Sequence, residues 1–328
     1  MSNIYVSPFG AGDHSGSSAD NAAAFSTLNA AIQSAGPGGT VMLLADQGSY
    51  DTTVPVEISC GGQDGAPVTI KGVDSFGNAM DVQISGTRAP IYTPGMTEKG
   101  NAVFALASGA DNLVFDGFDF HNVGIAFHLV ADAHNITIQN MEADNVRLFA
   151  GNYLGDTFAS ASVTGLTLRN VEVHGFSYGV ITLKYDSSNV VIDSVYGDSE
   201  YQDKDGIAIG VHLDGTVHDV LIENSTMLNC IKTGTYYNGD GFATERGVYN
   251  VRFENTVARG NADGGYDLKS TGTVPVNALA EDNGRNFRLW GQVDLIDPIG
   301  IDPHQRGGTS GQYQIQLMDG AQVTVTGG

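Results

Sequence analysis

Three phrases in the second half of the chain share an apolar skeleton and differ at one outward position. They are Asp240-Gly241-Phe242-Ala243, Asp263-Gly264-Gly265-Tyr266-Asp267 and Asn286-Phe287-Arg288-Leu289. On neighbouring strands, Ala243, Asp267 and Arg288 would form one outward column spaced about 4.7–4.9 Å apart. Asp240, Asp263 and Asp267 can then converge, and close carboxylates raise one another's pKa unless a cation neutralises them. Oxygen donors at flexible spacing suit Ca2+, whereas Zn2+ would favour His or Cys. Asp before Gly is also ordinary turn chemistry, which is the competing account of Asp240 and Asp263. Asp267 lies inside a strand phrase, where Asp is depleted, and so points to a specific role.

The formal charge of −22 over 328 residues argues against a nucleic-acid partner, whose phosphates need a basic surface. It also makes a polyanionic substrate demanding unless cations are gathered locally. Lys184, Lys204, Lys232, Arg246, Lys269, Arg285 and Arg288 do all fall in the second half. Lys204, Arg246 and Arg285 are candidate clamps for substrate carboxylates, against the plain alternative of ordinary surface cations. Tyr266 and Trp290 are candidate sugar-stacking rings, although Tyr266, next to Asp267, is expected to point inward. His128, His212 and His218 have no metal spacing and read as structural or solvated. Cys60 and Cys230 match no metal or redox pattern and read as free thiols. No apolar run approaches the ~18–20 residues that span a membrane. Met1 to Val6 lack the basic and apolar regions of a signal peptide. Either a leader was trimmed or export is read at the C-terminus.

These side chains need a scaffold of stacked strands. Composition rich in Gly, Asn, Asp, Thr and Val points to β structure with tight turns. Leu113-Val114-Phe115-Asp116, Ile136 to Asn140, Leu166 to Asn170, Val190 to Asp193, Val220 to Asn224 and Val251 to Asn255 share one alternating pattern. Their spacing of roughly 23 to 31 residues fits a repeat architecture. Asn140, Asn170, Asn224 and Asn255 close four of them, as expected of a structural ladder at one corner, since Asn tolerates left-handed backbone. A second strand recurs after the corner: Gly124 to Phe127, Gly179 to Thr182, Gly206 to Ile209, Gly241 to Thr244, Gly265 to Leu268 and Asn286 to Leu289. Ile4 to Val6, Val41 to Leu44 and Val68 to Ile70 are expected early strands. Phe25, Leu28, Ile32 and Ala35 fall on one helical face, predicting a helix over 20–36 with Asp20 as N-cap and Gly36-Pro37-Gly38-Gly39 as stop. It would cover the open end of a solenoid. Asp198 to Lys204 and Leu228 to Gly239 are expected to wall a groove. The expectation is one all-β domain over 1–328, a parallel β-helix with an N-terminal capping helix and final rungs or a cap over 294–328.

At this point the chain resembles a known family. Asp240 to Ala243, Asn261 to Leu268 and Asn283 to Leu289 look like successive site rungs of family 9 polysaccharide lyases, the pectate-lyase group on a right-handed parallel β-helix. Tyr5 to Gly10 and the helix after them look like that group's opening. The resemblance implies calcium held by Asp240, Asp263 and Asp267, and a base that takes the C5 proton of a uronate. Gly264 stands where the family has a further Asp, and Arg288 where it has its Lys base. Arg is a poor base because its pKa exceeds ~12. Other β-helix lyases place Arg there, so Arg288 is the first candidate. Lys269 is the rival, sharing the outward face with Asp267, where a nearby metal would depress its pKa. Alternatively Arg288 pairs with Asp267 across the strands, and the ion pair replaces the metal.

The implied activity is β-elimination on an acidic polysaccharide, pectate first and alginate second. The expected protein is bacterial, extracellular and monomeric. A mannuronan C5-epimerase is the near rival, and Asp302-Pro303-His304-Gln305 is similar to a motif of that family, though it follows the site rungs. β-Helix polygalacturonases resemble each other in a paired Asp and a Gly-His-Gly phrase, both absent here. A carbohydrate-binding solenoid using calcium only for rigidity is the non-catalytic alternative.

Overall fold

The computed structural model describes residues 2–90, 99–153, 161–203 and 205–328. Lys204, expected as a substrate clamp, lies outside the described residues. Among the described residues, strands stack in parallel into one ten-stranded and one eighteen-stranded sheet, giving the expected parallel β-helix. The ten-stranded sheet bears the three phrases. Its last five strands are β1 (Ile209–Leu213), β2 (Asp240–Thr244), β3 (Gly264–Leu268), β4 (Arg285–Leu289) and β5 (Tyr313–Leu317).

Register follows the apolar skeleton. Phe242 pairs with Tyr266 and Tyr266 with Phe287, and the one-residue offset places Ala243, Asp267 and Arg288 in a single column. The inward rings stack at 5.2 Å between centroids for both Phe242–Tyr266 and Tyr266–Phe287. Each such contact adds about 0.5–1.5 kcal/mol beyond burial. One slip in register would expose these rings and bury the charges, so the core pins the site.

The corners are as expected. Asn140, Asn170, Asn224 and Asn255 all adopt φ of 50–54°. Asn170 donates to Asn140 at 2.8 Å, while Asn224 donates to Asp193 at 3.2 Å. A second amide ladder is fully buried beneath the site. Asn261 donates to Asn283 Oδ1 at 2.8 Å, and Asn283 donates to Asn286 Oδ1 at 2.9 Å.

Two expectations need correction. The helix α1 covers only Leu28–Ala35, with Thr27 as its N-cap. Ala23–Ala24 instead pairs with Val6–Ser7 as a short strand, so the chain between Asp20 and Leu28 cannot be continuous helix. The strand expected from Gly206 starts at Ile209, and Ile207 is exposed. The apolar core nevertheless runs without a break from Val6 to Leu295. The region 294–328 continues the stack, Gln292–Ile296 pairing with Gln322–Thr326. No helix among the described residues is long and apolar enough to cross a membrane.

Candidate active site

The groove over β2, β3 and β4 gathers Asp240, Asp263, Asp267, Lys269, Arg285 and Arg288. Asp240 opens β2, Asp263 directly precedes β3, and Asp267 lies within it. Asp240, Asp263 and Asp267 are at most 4% exposed. Such buried carboxylates need partners, because an unpaired buried charge is costly.

Asp263 has them on both oxygens. Oδ1 is held by the Arg285 guanidinium, while Oδ2 accepts from the Tyr236 hydroxyl at 2.7 Å and from Arg288 Nη1 at 3.1 Å. Arg285 also donates to the Tyr236 hydroxyl at 2.9 Å. Asp267 Oδ1 accepts the Trp290 indole N–H at 2.7 Å. Its Oδ2 lies 3.4 Å from Lys269 Nζ and 3.8 Å from Arg288 Nη1. Lys269 donates to Glu245 at 2.6 Å. Asp240 Oδ1 accepts the Gly264 backbone N–H at 2.6 Å.

These contacts set the protonation. Burial, then Asp263 and Asp267, push the Asp240 carboxyl well above the usual range. Burial also raises Asp267, with Lys269 and Arg288 opposing it. His212 and Lys269 hold Glu245 down at about 2, against its burial. Burial works to lower Lys269, but Asp267 and Glu245 outweigh it and keep the ammonium above its ordinary value. Burial followed by Asp263 pushes Tyr236 up to about 12, so the phenol stays protonated at neutral pH.

The three carboxylates expected to bind calcium therefore share one site, but as arranged they do not fit a calcium ion. Calcium takes six to eight oxygens. Here both oxygens of Asp263 and of Asp267 already face donors, and three cationic side chains interleave the carboxylates. Among the described residues, no group of three or more His, Cys, Asp or Glu side chains is placed to hold a metal. The position of the further carboxylate is closed as well. A Cβ on Gly264 would meet Asp240 Oδ1 at 2.8 Å and Asp267 Cβ at 3.1 Å.

The other expected residues divide. Arg285 belongs to the site, but its side chain is only 7% exposed. Arg246 is exposed and lies over the Trp290 ring at 5.7 Å, and both line a cleft of about 360 Å³ with Lys269. Arg288 also lies over that ring, at 4.8 Å. Tyr266 does not bind sugar: it is fully buried between Phe242 and Phe287, its hydroxyl 2.9 Å from Thr256. Its parity in β3 dictates this. Asp302, Pro303 and His304 line a different cleft, with Arg259, Glu281 and Asp282.

Sequence reasoning missed Tyr236 and Glu245. Tyr236 comes from the expected wall 228–239, whose irregular backbone carries no register to place one side chain. Glu245 was within reach: it follows Ala243 by two residues, as Lys269 follows Asp267, and so shares its face.

No protein-family profile and no curated protein matches the sequence. Solved structures do resemble it. Pectate lyase Pel9A superposes with a TM-score of 0.63 at 17% identity, over 95% of this chain and 79% of that one. A rhamnogalacturonan lyase gives 0.54 at 13%, over 99% and 87%. The Dettilon tailspike protein gp208 gives 0.61 at 11%, over 98% and 61%. At such identities the likeness establishes the parallel β-helix fold, shared with polysaccharide lyases among others, and leaves the chemistry to the residues of the groove.

Proposed function

We propose that this chain is a polysaccharide lyase that cleaves a uronic-acid polymer by β-elimination, polygalacturonate first and alginate second. One observation carries the reading: in a chain of net charge −22, Lys269, Arg285 and Arg288 meet at one point of the groove. Asp263, Asp267 and Glu245 balance these charges, so an anionic ligand is favoured where Arg288 and Lys269 can exchange a carboxylate partner for it, beside exposed Arg246. The lyases of the same fold support the reaction class.

In the proposed reaction Arg288 binds the carboxylate of the sugar whose C5–H is removed, which stabilises charge developing at C5. Lys269 in its neutral form takes that proton. The C4–O4 bond breaks as the C4–C5 double bond forms, and Tyr236 gives its proton to the departing O4. This order reverses the ranking that Arg288 held over Lys269 as base. Both cations are held protonated by neighbouring carboxylates, but an ammonium is far easier to neutralise than a guanidinium. Trp290 and exposed Arg246 stand beside Lys269 for the neighbouring sugar. An acidic polymer of this kind implies work outside the cell.

The test is ultraviolet absorbance of the unsaturated uronide on polygalacturonate and on alginate. Product that disappears in Lys269→Ala supports the assignment. No product on any uronate polymer sinks the lyase reading, and proton exchange at C5 would then separate an epimerase from a binding solenoid.

A further inference from the structure

We infer that guanidinium groups take the place of a divalent cation in this site: Arg285 fills the interior of the carboxylate cluster, and Arg288 presents the charge that meets the sugar carboxylate. Binding and cleavage would then need no calcium. The inference rests on the uronate reading for its substrate, but its statement about the metal stands apart from it.

Four observations converge. Arg285 spans the place a bridging ion would need, bonded to both Asp263 and Tyr236. Its ring neighbours Tyr236 and Tyr313 lie 5.6 and 5.9 Å from the guanidinium carbon and hold it there. The carboxylate oxygens that would ligate calcium are already accepting hydrogen bonds or facing cations. Gly264 brings a backbone N–H, a donor, to Asp240 where an added oxygen ligand would have to stand.

A further observation points to a ligand. The Nε atoms of Arg285 and Arg288 are buried and have no hydrogen-bond partner. Native structures seldom leave such donors unpaired, so each asks for an acceptor. A carboxylate has two oxygens at the spacing of a guanidinium fork. Arg288, 18% exposed against 7% for Arg285, is the one a sugar reaches first. Arg285 then acts as a positioning residue: by holding Asp263 it fixes the carboxylate against which Arg288 is aimed.

The experiment uses the full chain, calcium chloride and two uronate trimers, trigalacturonate and trimannuronate. Calorimetric titration with calcium should give no saturable heat up to millimolar concentration, and Tm should be equal in calcium and in chelator. A trimer should bind in chelator, at least tenfold more weakly in Arg288→Gln. The double variant Arg285→Gln, Arg288→Gln, checked for a cooperative unfolding transition, should gain a Tm rise with calcium because its carboxylates are released. If the double variant does not fold, the wild-type titration and Arg288→Gln still decide. Saturable calcium binding to the wild type, or trimer binding only in its presence, overturns the inference and leaves the lyase reading intact. Calcium-silent protein that binds neither trimer overturns the uronate reading and the role of Arg288 together.

Discussion

Arg285 and Asp263 form an ion pair between successive rungs, with side chains 7% and 1% exposed. Removing one member strands the other in a dry interior. Arg285→Ala should lower the unfolding free energy by about 3 kcal/mol, the low end for a broken buried pair, because Arg288 and Tyr236 still hold the far oxygen. Denaturant titration measures it. Adding Asp263→Asn should recover part of the loss, and a double variant no better than the single would contradict the pairing.

Lys269 must lose its proton before it can act, and Asp267 and Glu245 keep that proton on against the effect of burial. Only the neutral amine works, so kcat/KM should climb about tenfold per pH unit through the range below ~10.4, the ordinary lysine value. Lys269→Ala should cost ~10²–10⁴-fold in kcat. A profile flat between about pH 7 and 10 would remove Lys269 from the role.

Tyr236→Phe keeps the ring and deletes the proton. If the phenol protonates O4, kcat should fall by ~10²-fold or more while KM changes little. An unchanged kcat would reduce Tyr236 to a support for Asp263.

Asp240 has its folded pKa raised by burial and by its two acidic neighbours. A carboxyl raised on folding binds its proton more tightly folded than unfolded, so stability is lost as pH rises above the unfolded value of about 3.9. Asp240→Asn mimics the neutral form. Its Tm should exceed the wild type's at neutral pH, and the advantage should vanish below about pH 3.9. A variant less stable at pH 7 would show that the charged form is the one the fold needs.

Asn283 is fully buried, donates to Ala258 O at 2.9 Å and accepts from the Asn261 backbone N–H at 3.0 Å. Asn283→Ala orphans several groups, each costing about 1–3 kcal/mol. Asn277, in the exposed ladder, donates to Asn255 at 3.0 Å with φ of 51°, so Asn277→Ala should cost only the ~1 kcal/mol of placing Ala in left-handed backbone. Equal losses by denaturant titration would show that burial does not set the cost.

The fold was legible because a solenoid repeats one local rule. Alternation of apolar and polar residues in Val251 to Asn255 states which face is buried, and stacking at constant register then predicts the column from Ala243 to Arg288. Asn140 and Asn170 mark a corner because few residues tolerate positive φ. The helix start was not legible, since pairing of Ala23–Ala24 with Val6–Ser7 is a tertiary contact that overrides local propensity. Phase was lost at Gly206, where two overlapping phrases alternate equally well and only one packs. At the site, identities were readable but partners were not. That Asp263 would face Arg285 and not an ion depends on side-chain reach across rungs, and Tyr236 arrives from a loop without periodicity.

Trp290 is the only tryptophan in the chain. Its indole N–H is bonded to Asp267, and its ring lies under Arg288 and Arg246. The tryptophan emission, separable from that of the 13 tyrosines by selective excitation, therefore originates beside Lys269, in a cluster of charges that any arriving anion must rearrange. The molecule carries its own optical probe of occupancy, with no label to add and no second fluorophore of its kind to subtract.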